Sequence, residues 1–158
     1  KEHRLRRNFQ GYSVIPAGDV IGLGTSAIGD VQGSYTQNEK KLSSYGEAIK
    51  AGRLPVYRGI ARGADDDVRR DVIHELMCNF HVEFAAIEAR HGIKFQEYFA
   101  EDLAALGEHE VDEMVKVGSQ AIVVTPVGEL FVRNLAMCFD RYLREKQDPE
   151  KPVFSRTV

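Results

Sequence analysis

The sequence predicts a mixed α/β fold in two parts, a strand-containing first part over residues 1–60 and a mainly helical second part over residues 61–158. In the first part, Val20 and Ile21 precede three glycines within residues 22–29, which is typical of a buried strand that ends in a tight loop. In the second part, apolar residues recur at helical spacing. Together with one β-hairpin, these helices resemble a winged-helix arrangement.

The first part contains a strand, a helix and an extended segment. We expect residues 20–24 to form the strand. Residues 37–50 are predicted to form a helix ending before Gly52, because helix-forming residues surround three apolar positions at helical spacing, Leu42, Tyr45 and Ile49. Residues 53–59 are predicted to be extended, since Pro55 excludes a helix there.

The second part is predicted to hold four helices and a hairpin. The helices cover 65–80, 83–91, a stretch that begins at Phe95, and 125–146. Gly92 ends the second helix, and Thr125 followed by Pro126 is a typical helix start. The hairpin joins strands 115–117 and 122–124 through Gly118-Ser119-Gln120. The tail, residues 147–158, is expected to wrap the surface.

Composition limits the classes of function. The chain has 158 residues, 43% of them hydrophobic, which is enough to bury a core. A net charge of −3 provides no global field toward nucleic acid or membrane, so neither is an expected partner. The apolar runs are much shorter than the roughly 20 residues of a membrane helix. Two cysteines and no visible signal peptide predict a cytoplasmic location.

The glycine-rich loop is the first candidate site. Gly22, Gly24 and Gly29 allow a backbone to approach another surface closely, either a ligand or the chain itself, and the spacing leaves both interpretations open. A dinucleotide fingerprint is not predicted, because the third glycine comes too late and residues 30–34 do not read as a helix. A phosphate loop ending in Gly-Lys-Ser/Thr is also missing from the sequence.

Two further patterns have functional and structural interpretations. His74, Cys78 and His81 would share the helix face opposite the apolar stripe, either as part of a zinc site or, as we favour, as a packing face. The winged-helix pattern invites DNA binding, and residues 1–7 are basic. The third helix would contact the DNA, and phosphate contact needs lysine and arginine. This helix is acidic instead, which argues against DNA binding; its acidic residues are Glu97, Glu101, Asp102, Glu108 and Glu110.

Several unusual strings occur in an order that resembles one family. They are NFQGY at 8–12, GLGTSAIG at 22–29, SYTQN at 34–38, DVIHELMCNF at 71–80, VTPVG at 124–128 and VRNLAMCFD at 132–140. In this order they resemble the bacterial oxygen-independent coproporphyrinogen III oxidase family. The resemblance covers essentially the whole chain and only the C-terminal third or so of such an enzyme.

The resemblance implies a radical S-adenosylmethionine enzyme of haem biosynthesis. The first part would be the end of a partial TIM-type α/β barrel. The full-length enzyme converts coproporphyrinogen III to protoporphyrinogen IX, using a 4Fe–4S cluster held by a C-x-x-x-C-x-x-C set and S-adenosylmethionine. Cys78 and Cys138 cannot supply that set, so this chain is expected to hold no metal, to contain no catalytic residue and to be inactive alone.

The resemblance also implies site residues. Ile28 would contact S-adenosylmethionine, with Gly22, Gly24 and Ser26 as further candidates. A tetracarboxylate substrate requires guanidinium partners, and the candidates near this loop in sequence are Arg53, Arg58 and Arg62.

Two alternatives come from other classes of protein. One is a haem-chaperone relative of the same superfamily, whose glycine turn usually carries a histidine where Ile28 stands. The other is a free-standing winged-helix interaction module. Ile28 favours the oxidase, which is expected to be monomeric at full length.

Overall fold

The structure is a computed structural model that describes residues 5–9, 11–14 and 18–145. The described residues fall into two compact units, Leu5–Asp67 (the first unit) and those from Val68 onward (the second unit). The division lies inside one helix, and the domain boundary at residues 60 and 61 stays a prediction. The predicted surface tail and most of the basic N-terminal arm lie outside the described residues.

The first unit is built on antiparallel strands. β1 (Arg6–Asn8) and β2 (Gly11–Ser13) pair as a hairpin. A second sheet has the order β3-β4-β5, with β3 (Ile28–Val31), β4 (Ser34–Asn38) and β5 (Val56–Ala61). Helix α1 (Leu42–Lys50) connects β4 to β5. Gln32 and Gly33 join β3 to β4 with φ of 46° and 76°, which matches the type I′ turn of a two-residue hairpin.

Two predictions for the first unit are wrong. Residues 20–24 do not form a strand, because only Val20 pairs, through one bridge to Asp30, before the chain turns away at the glycines. The helix begins at Leu42 rather than at residue 37, because Gln37 and Asn38 pair with Arg58 and Val56 in the sheet. Local helix propensity is overridden here by strand pairing across about 20 residues.

The second unit packs helices around a small sheet. Helix α2 (Ala64–Asn79) leads into β6 (His81–Glu83), and the sheet order is β6-β8-β7. The remaining elements are α3 (Phe84–His91), α4 (Phe95–Tyr98), α5 (Ala100–Val111), β7 (Val115–Val117), β8 (Ala121–Val124), a 3-10 helix (Gly128–Phe131), α6 (Val132–Met137) and α7 (Arg141–Glu145). Phe95, Phe99 and Phe139 are completely buried at its centre.

Several local predictions for the second unit are confirmed. The hairpin β7–β8 has the predicted position. Helix α3 ends at Gly92, whose left-handed φ of 67° is the conformation that glycine adopts without strain. Thr125 precedes the last helical region as predicted, and its hydroxyl oxygen accepts a hydrogen bond at 3.1 Å from the N–H of Gly128, where the 3-10 helix begins. The mixed α/β class is confirmed as well.

Two helices are more broken than predicted. The third becomes α4 and α5, and the last becomes the 3-10 helix, α6 and α7. A Cβ on Gly128 would lie 1.8 Å from the Met114 carbonyl oxygen, so the chain passes directly over that carbonyl. The Asp140 carboxylate accepts a hydrogen bond from the Leu143 N–H at 3.2 Å and caps a new helix. Within the described residues, no helix combines the length and apolar character needed to cross a membrane.

Candidate functional site

The glycine-rich loop is fixed by one buried amide, that of Asn38 at the end of β4. Its Nδ2 donates hydrogen bonds to the carbonyl oxygens of Gly22 and Gly24, both at 2.9 Å. The Gly24 N–H donates to the Tyr45 hydroxyl at 3.2 Å, and the Ser26 N–H donates to the Glu39 carbonyl at 2.9 Å. The loop is therefore held in one conformation by β4 and α1.

Two of the glycines have a packing reason within the chain. A Cβ on Gly22 would lie 2.9 Å from the Ile28 carbonyl group, and one on Gly29 would lie 2.9 Å from Thr36 Oγ1. Gly24 differs, because its φ of 100° requires glycine while the space beside it is open. The tight-turn interpretation thus accounts for Gly22 and Gly29, and Gly24 is the glycine with room beside it.

Strand register places Ile28, Gln37 and Arg58 in one row. Ile28 pairs with Gln37, and Gln37 pairs with Arg58. Directly paired residues of antiparallel strands project their side chains from the same face, so the three share one face of the sheet. Arg58 Nε donates to Gln37 Oε1 at 2.9 Å, and Gln37 Nε2 donates to the Ser26 carbonyl at 3.3 Å. The row therefore contains both Ile28, a candidate contact for the cofactor, and Arg58, a candidate contact for the substrate.

The neighbouring row on this face contains Asp30, Tyr35 and Ile60. Arg62 reaches it, with its guanidinium bound to the carboxylates of Asp30 and Asp67 and lying 4.7 Å from the Tyr35 ring centre. Burial alone would lower the pKa of Arg62, but the hydrogen bonds that its guanidinium donates to Asp67 and Asp30 raise this pKa above its ordinary value.

The other candidate residues are placed differently. Phe9, in the first family-like string, meets Tyr35 edge to face with ring centres 5.4 Å apart. Arg53 is exposed and lies between α1 and β5, outside the sheet. Gly22, Gly24 and Ser26 lie in the loop that leads into Ile28. The structure therefore brings Arg58 to Ile28 through Gln37, while Arg53 is not in that row.

The zinc interpretation of His74, Cys78 and His81 is not supported. Helix α2 ends at Asn79, so His81 lies in β6 and cannot share a face of that helix. Cys78 is buried and belongs to the core of the second unit. Across residues 5–9, 11–14 and 18–145, no group of three or more His, Cys, Asp or Glu side chains is arranged to hold a metal ion.

Gln37 and Asn38 are the site residues that sequence reasoning missed. Both lie in the SYTQN string, which carries the family resemblance, but the helical pattern that follows placed them at a helix start. The one local signal was the short β-prone pair Tyr35-Thr36 next to the Gln32-Gly33 turn.

Comparison with known proteins agrees with the resemblance. No protein-family model matches the chain. Oxygen-independent coproporphyrinogen III oxidases of Salmonella typhimurium and Escherichia coli are each 42% identical over 158 residues, which is 100% of this chain and 34% of those proteins. A solved structure of coproporphyrinogen III oxidase from Escherichia coli, a radical SAM enzyme, matches with a TM-score of 0.86 and 42% identity, over 89% of this chain and 32% of that one.

This chain is a relative of oxygen-independent coproporphyrinogen III oxidase. The resemblance expected from the strings is confirmed. The chain spans about a third of the length of the curated relatives it matches, 34% in the first of them. The similarity extends from the glycine-rich loop and the row beside it through the second unit.

Proposed function

We propose that this chain is the C-terminal portion of an oxygen-independent coproporphyrinogen III oxidase. In the longer protein it would take part in converting coproporphyrinogen III to protoporphyrinogen IX for haem biosynthesis. The observation that supports this most is the 42% identity along all 158 residues of the chain. Ile28 lies where a haem-chaperone relative usually has a histidine, which favours the oxidase over that alternative.

The residues that fit S-adenosylmethionine lie in and after the glycine-rich loop. Ile28 is half-buried at the start of β3 and can contact a neutral purine or methylene group, with Gly22, Gly24 and Ser26 as further candidates. Open space beside Gly24 leaves room for such a ligand. S-adenosylmethionine, with a 4Fe–4S cluster held outside this chain, would supply the hydrogen-abstracting chemistry. The loop would orient the cofactor, since its backbone is fixed by Asn38.

Guanidinium groups near this loop are the proposed partners of the substrate's carboxylates. Arg53 and Arg58 are exposed, whereas Arg62 already binds the carboxylates of Asp30 and Asp67. Arg58 is therefore the best placed of the three, because it lies in the row of Ile28 and is accessible. Arg62 would act by fixing Asp30 and Tyr35.

We further propose that the first unit is the end of a partial TIM-type barrel and that the second is a winged-helix-like module. The first unit exposes large apolar side chains that a longer chain would cover, among them Ile21 at 74%, Leu23 at 85% and Leu54 at 83%. All six residues of β5 are exposed, and it is an edge strand of its three-stranded sheet. The full-length protein would be cytoplasmic and monomeric.

Turnover by the longer protein tests this function. The protein is purified without oxygen, its cluster is reconstituted, and coproporphyrinogen III and S-adenosylmethionine are added with a reductant and an electron acceptor. We expect protoporphyrinogen IX, detected after oxidation as protoporphyrin. Stable haem binding without decarboxylation would instead favour the haem-chaperone alternative. A loaded enzyme that cleaves S-adenosylmethionine but leaves coproporphyrinogen III unchanged would refute the proposed substrate.

A further inference from the structure

We propose that Gln37 is a positioning residue that holds Arg58 beside Ile28, so that Arg58 binds one carboxylate of the substrate. The apolar body of the same ligand would lie on Ile60, which shares this face with Arg58, while Ile28 contacts S-adenosylmethionine as proposed above. The identity of the ligand rests on the proposed function, whereas the arrangement of the three residues rests on the strand register. Neither the family resemblance nor the comparisons assign a role to Gln37.

The row spans the distance between the proposed contact with S-adenosylmethionine and the proposed partner of a substrate carboxylate. Adjacent strands lie about 4.8 Å apart, so Ile28 and Arg58 are separated by two strand spacings, about 10 Å, with Gln37 between them. Ile28 is half-buried and Arg58 is exposed, which gives the row an apolar end and a cationic end. A propionate bound at the cationic end would then lie on the same face of the sheet as the cofactor contact at Ile28.

Both ends of the Gln37 amide are engaged. Its oxygen accepts from Arg58 Nε at 2.9 Å, and its nitrogen donates to the Ser26 carbonyl at 3.3 Å. These two bonds fix the orientation of the amide, because only one assignment of oxygen and nitrogen satisfies them. With Nε held by Gln37, the two Nη nitrogens of Arg58 are presented as the fork that binds a carboxylate through two parallel hydrogen bonds.

Arg62 does not compete for this role. It reaches the same face of the sheet, but its guanidinium binds the carboxylates of Asp30 and Asp67 and its side chain is only 10% exposed. Ile60 shares the face with Arg58 and is 52% exposed, so it extends the apolar surface next to the cation. The face thus presents one anchored, accessible guanidinium between two isoleucines.

The experiment compares Gln37→Ala, Gln37→Glu and Arg58→Lys in the full-length protein. The probe is coproporphyrin III, the stable oxidised form of the substrate, titrated by fluorescence. We expect Gln37→Ala to weaken binding about fivefold, the value of one hydrogen bond. Gln37→Glu should weaken it more, about thirtyfold, because the new carboxylate keeps the bond to Arg58 Nε and neutralises the guanidinium. In turnover, Gln37→Ala should raise KM while kcat changes less than about twofold.

The order of the two Gln37 variants separates positioning from a structural role. If Gln37 only stabilises the sheet, glutamate retains the acceptor and binds the probe better than alanine does, which would overturn the proposal. Gln96→Ala is the matched control, since Gln96 is exposed, donates to the Ser119 carbonyl at 3.3 Å and lies in the second unit. Melting temperatures of all variants are measured alongside.

Failure of this inference is distinguishable from failure of the proposed function. A parent enzyme that decarboxylates coproporphyrinogen III, together with Gln37 and Arg58 variants that bind the probe equally well, would overturn the positioning role alone. A parent that neither binds coproporphyrin III nor decarboxylates the substrate would overturn both. Weaker binding in the order parent, Gln37→Ala, Gln37→Glu, with Arg58→Lys also weakened and Gln96→Ala unchanged, supports the proposal.

Discussion

At the residue scale, Ile28 carries the proposed contact with S-adenosylmethionine. It is half-buried at the start of β3, directly after the loop fixed by Asn38. In the full-length enzyme, Ile28→Arg would place a positive charge beside a ligand that is itself cationic at sulfur. We expect S-adenosylmethionine binding and decarboxylation to fall together by about 100-fold, while the cluster absorbance is retained.

The control for this change is Val111→Arg, at a position 82% exposed at the end of α5. Equilibrium binding of S-adenosylmethionine and the visible spectrum are measured for both variants. Decarboxylation by Ile28→Arg at the parent rate would show that the loop is structural and that the contact is misassigned.

Asp71 provides a pH-dependent contribution to stability in the second unit. Arg90 Nη1 lies 2.6 Å and His91 Nε2 lies 2.9 Å from the same carboxylate oxygen. Burial alone would raise the pKa of Asp71, but hydrogen bonds from Arg90 and His91 lower it below its ordinary value. A lowered pKa in the folded state stabilises the fold above the unfolded value of about 4, and this stabilisation is lost as pH falls through the folded pKa.

We therefore expect Asp71→Asn to lower the free energy of unfolding at pH 7 by about 1 kcal/mol, a modest value because Arg90 is half-exposed. The difference from the parent should shrink as pH falls below about 4. Urea unfolding between pH 7 and pH 3 measures it. A difference that stays constant over this range would mean that the carboxylate charge does not contribute.

At the scale of the elements, one buried carboxylate ties three helices together. Asp102 in α5 is 1% exposed. Its carboxylate accepts hydrogen bonds from Arg69 Nη1 of α2 at 3.0 Å and from Arg144 Nη2 of α7 at 2.5 Å. Arg69 also donates to the Phe139 carbonyl at 3.1 Å, next to the break before α7. Burial raises the pKa of the Cys138 thiol, and the negative charge of Asp102 raises it further.

Asp102→Ala should lower the free energy of unfolding by about 3 kcal/mol, because it leaves two guanidinium groups without their buried partner. Glu101→Ala is the matched control, since Glu101 is the preceding residue, contacts the same Arg144 at 3.3 Å, and its side chain is 89% exposed. That exposed pair should contribute less than about 0.5 kcal/mol. Chemical denaturation measures the free energy of unfolding of both variants. Equal losses in Asp102→Ala and Glu101→Ala would contradict the role of the buried carboxylate in connecting the three helices.

At the scale of the whole molecule, the isolated chain is expected to hold no iron–sulfur cluster. It has two cysteines, Cys78 and Cys138, where a 4Fe–4S cluster needs a group of thiolates. Cys78 is buried in the core of the second unit and Cys138 is partly buried. We expect anaerobic reconstitution of the isolated chain with iron and sulfide to give no stable visible absorbance from a cluster, whereas the full-length protein should give one. A visible band in the isolated chain that chelators remove would contradict this.

The sequence by itself determined the features that depend on neighbouring residues. Helix α2 follows from apolar positions such as Val68, Val72 and Leu76, which recur at helical spacing and are buried as expected. The stop at Gly92 and the start at Thr125 follow from the conformations and hydrogen bonds that these residue types favour locally. The family resemblance also rests on short local strings. Ile28 was predicted as a site residue because it lies in one of these strings.

Only the tertiary structure decided where distant segments meet. Gln37 and Asn38 belong to a strand because β5, after an intervening helix, supplies their partners. The last helical region begins at Gly128 as a 3-10 helix, at the point where the chain passes over the Met114 carbonyl. The pairing of β4 with β5 places Arg58 beside Gln37, and Arg62, directly after β5, binds the carboxylate of Asp30. Pairing and close approach depend on residues far apart in the chain, and periodicity and propensity within one segment carry no information about them.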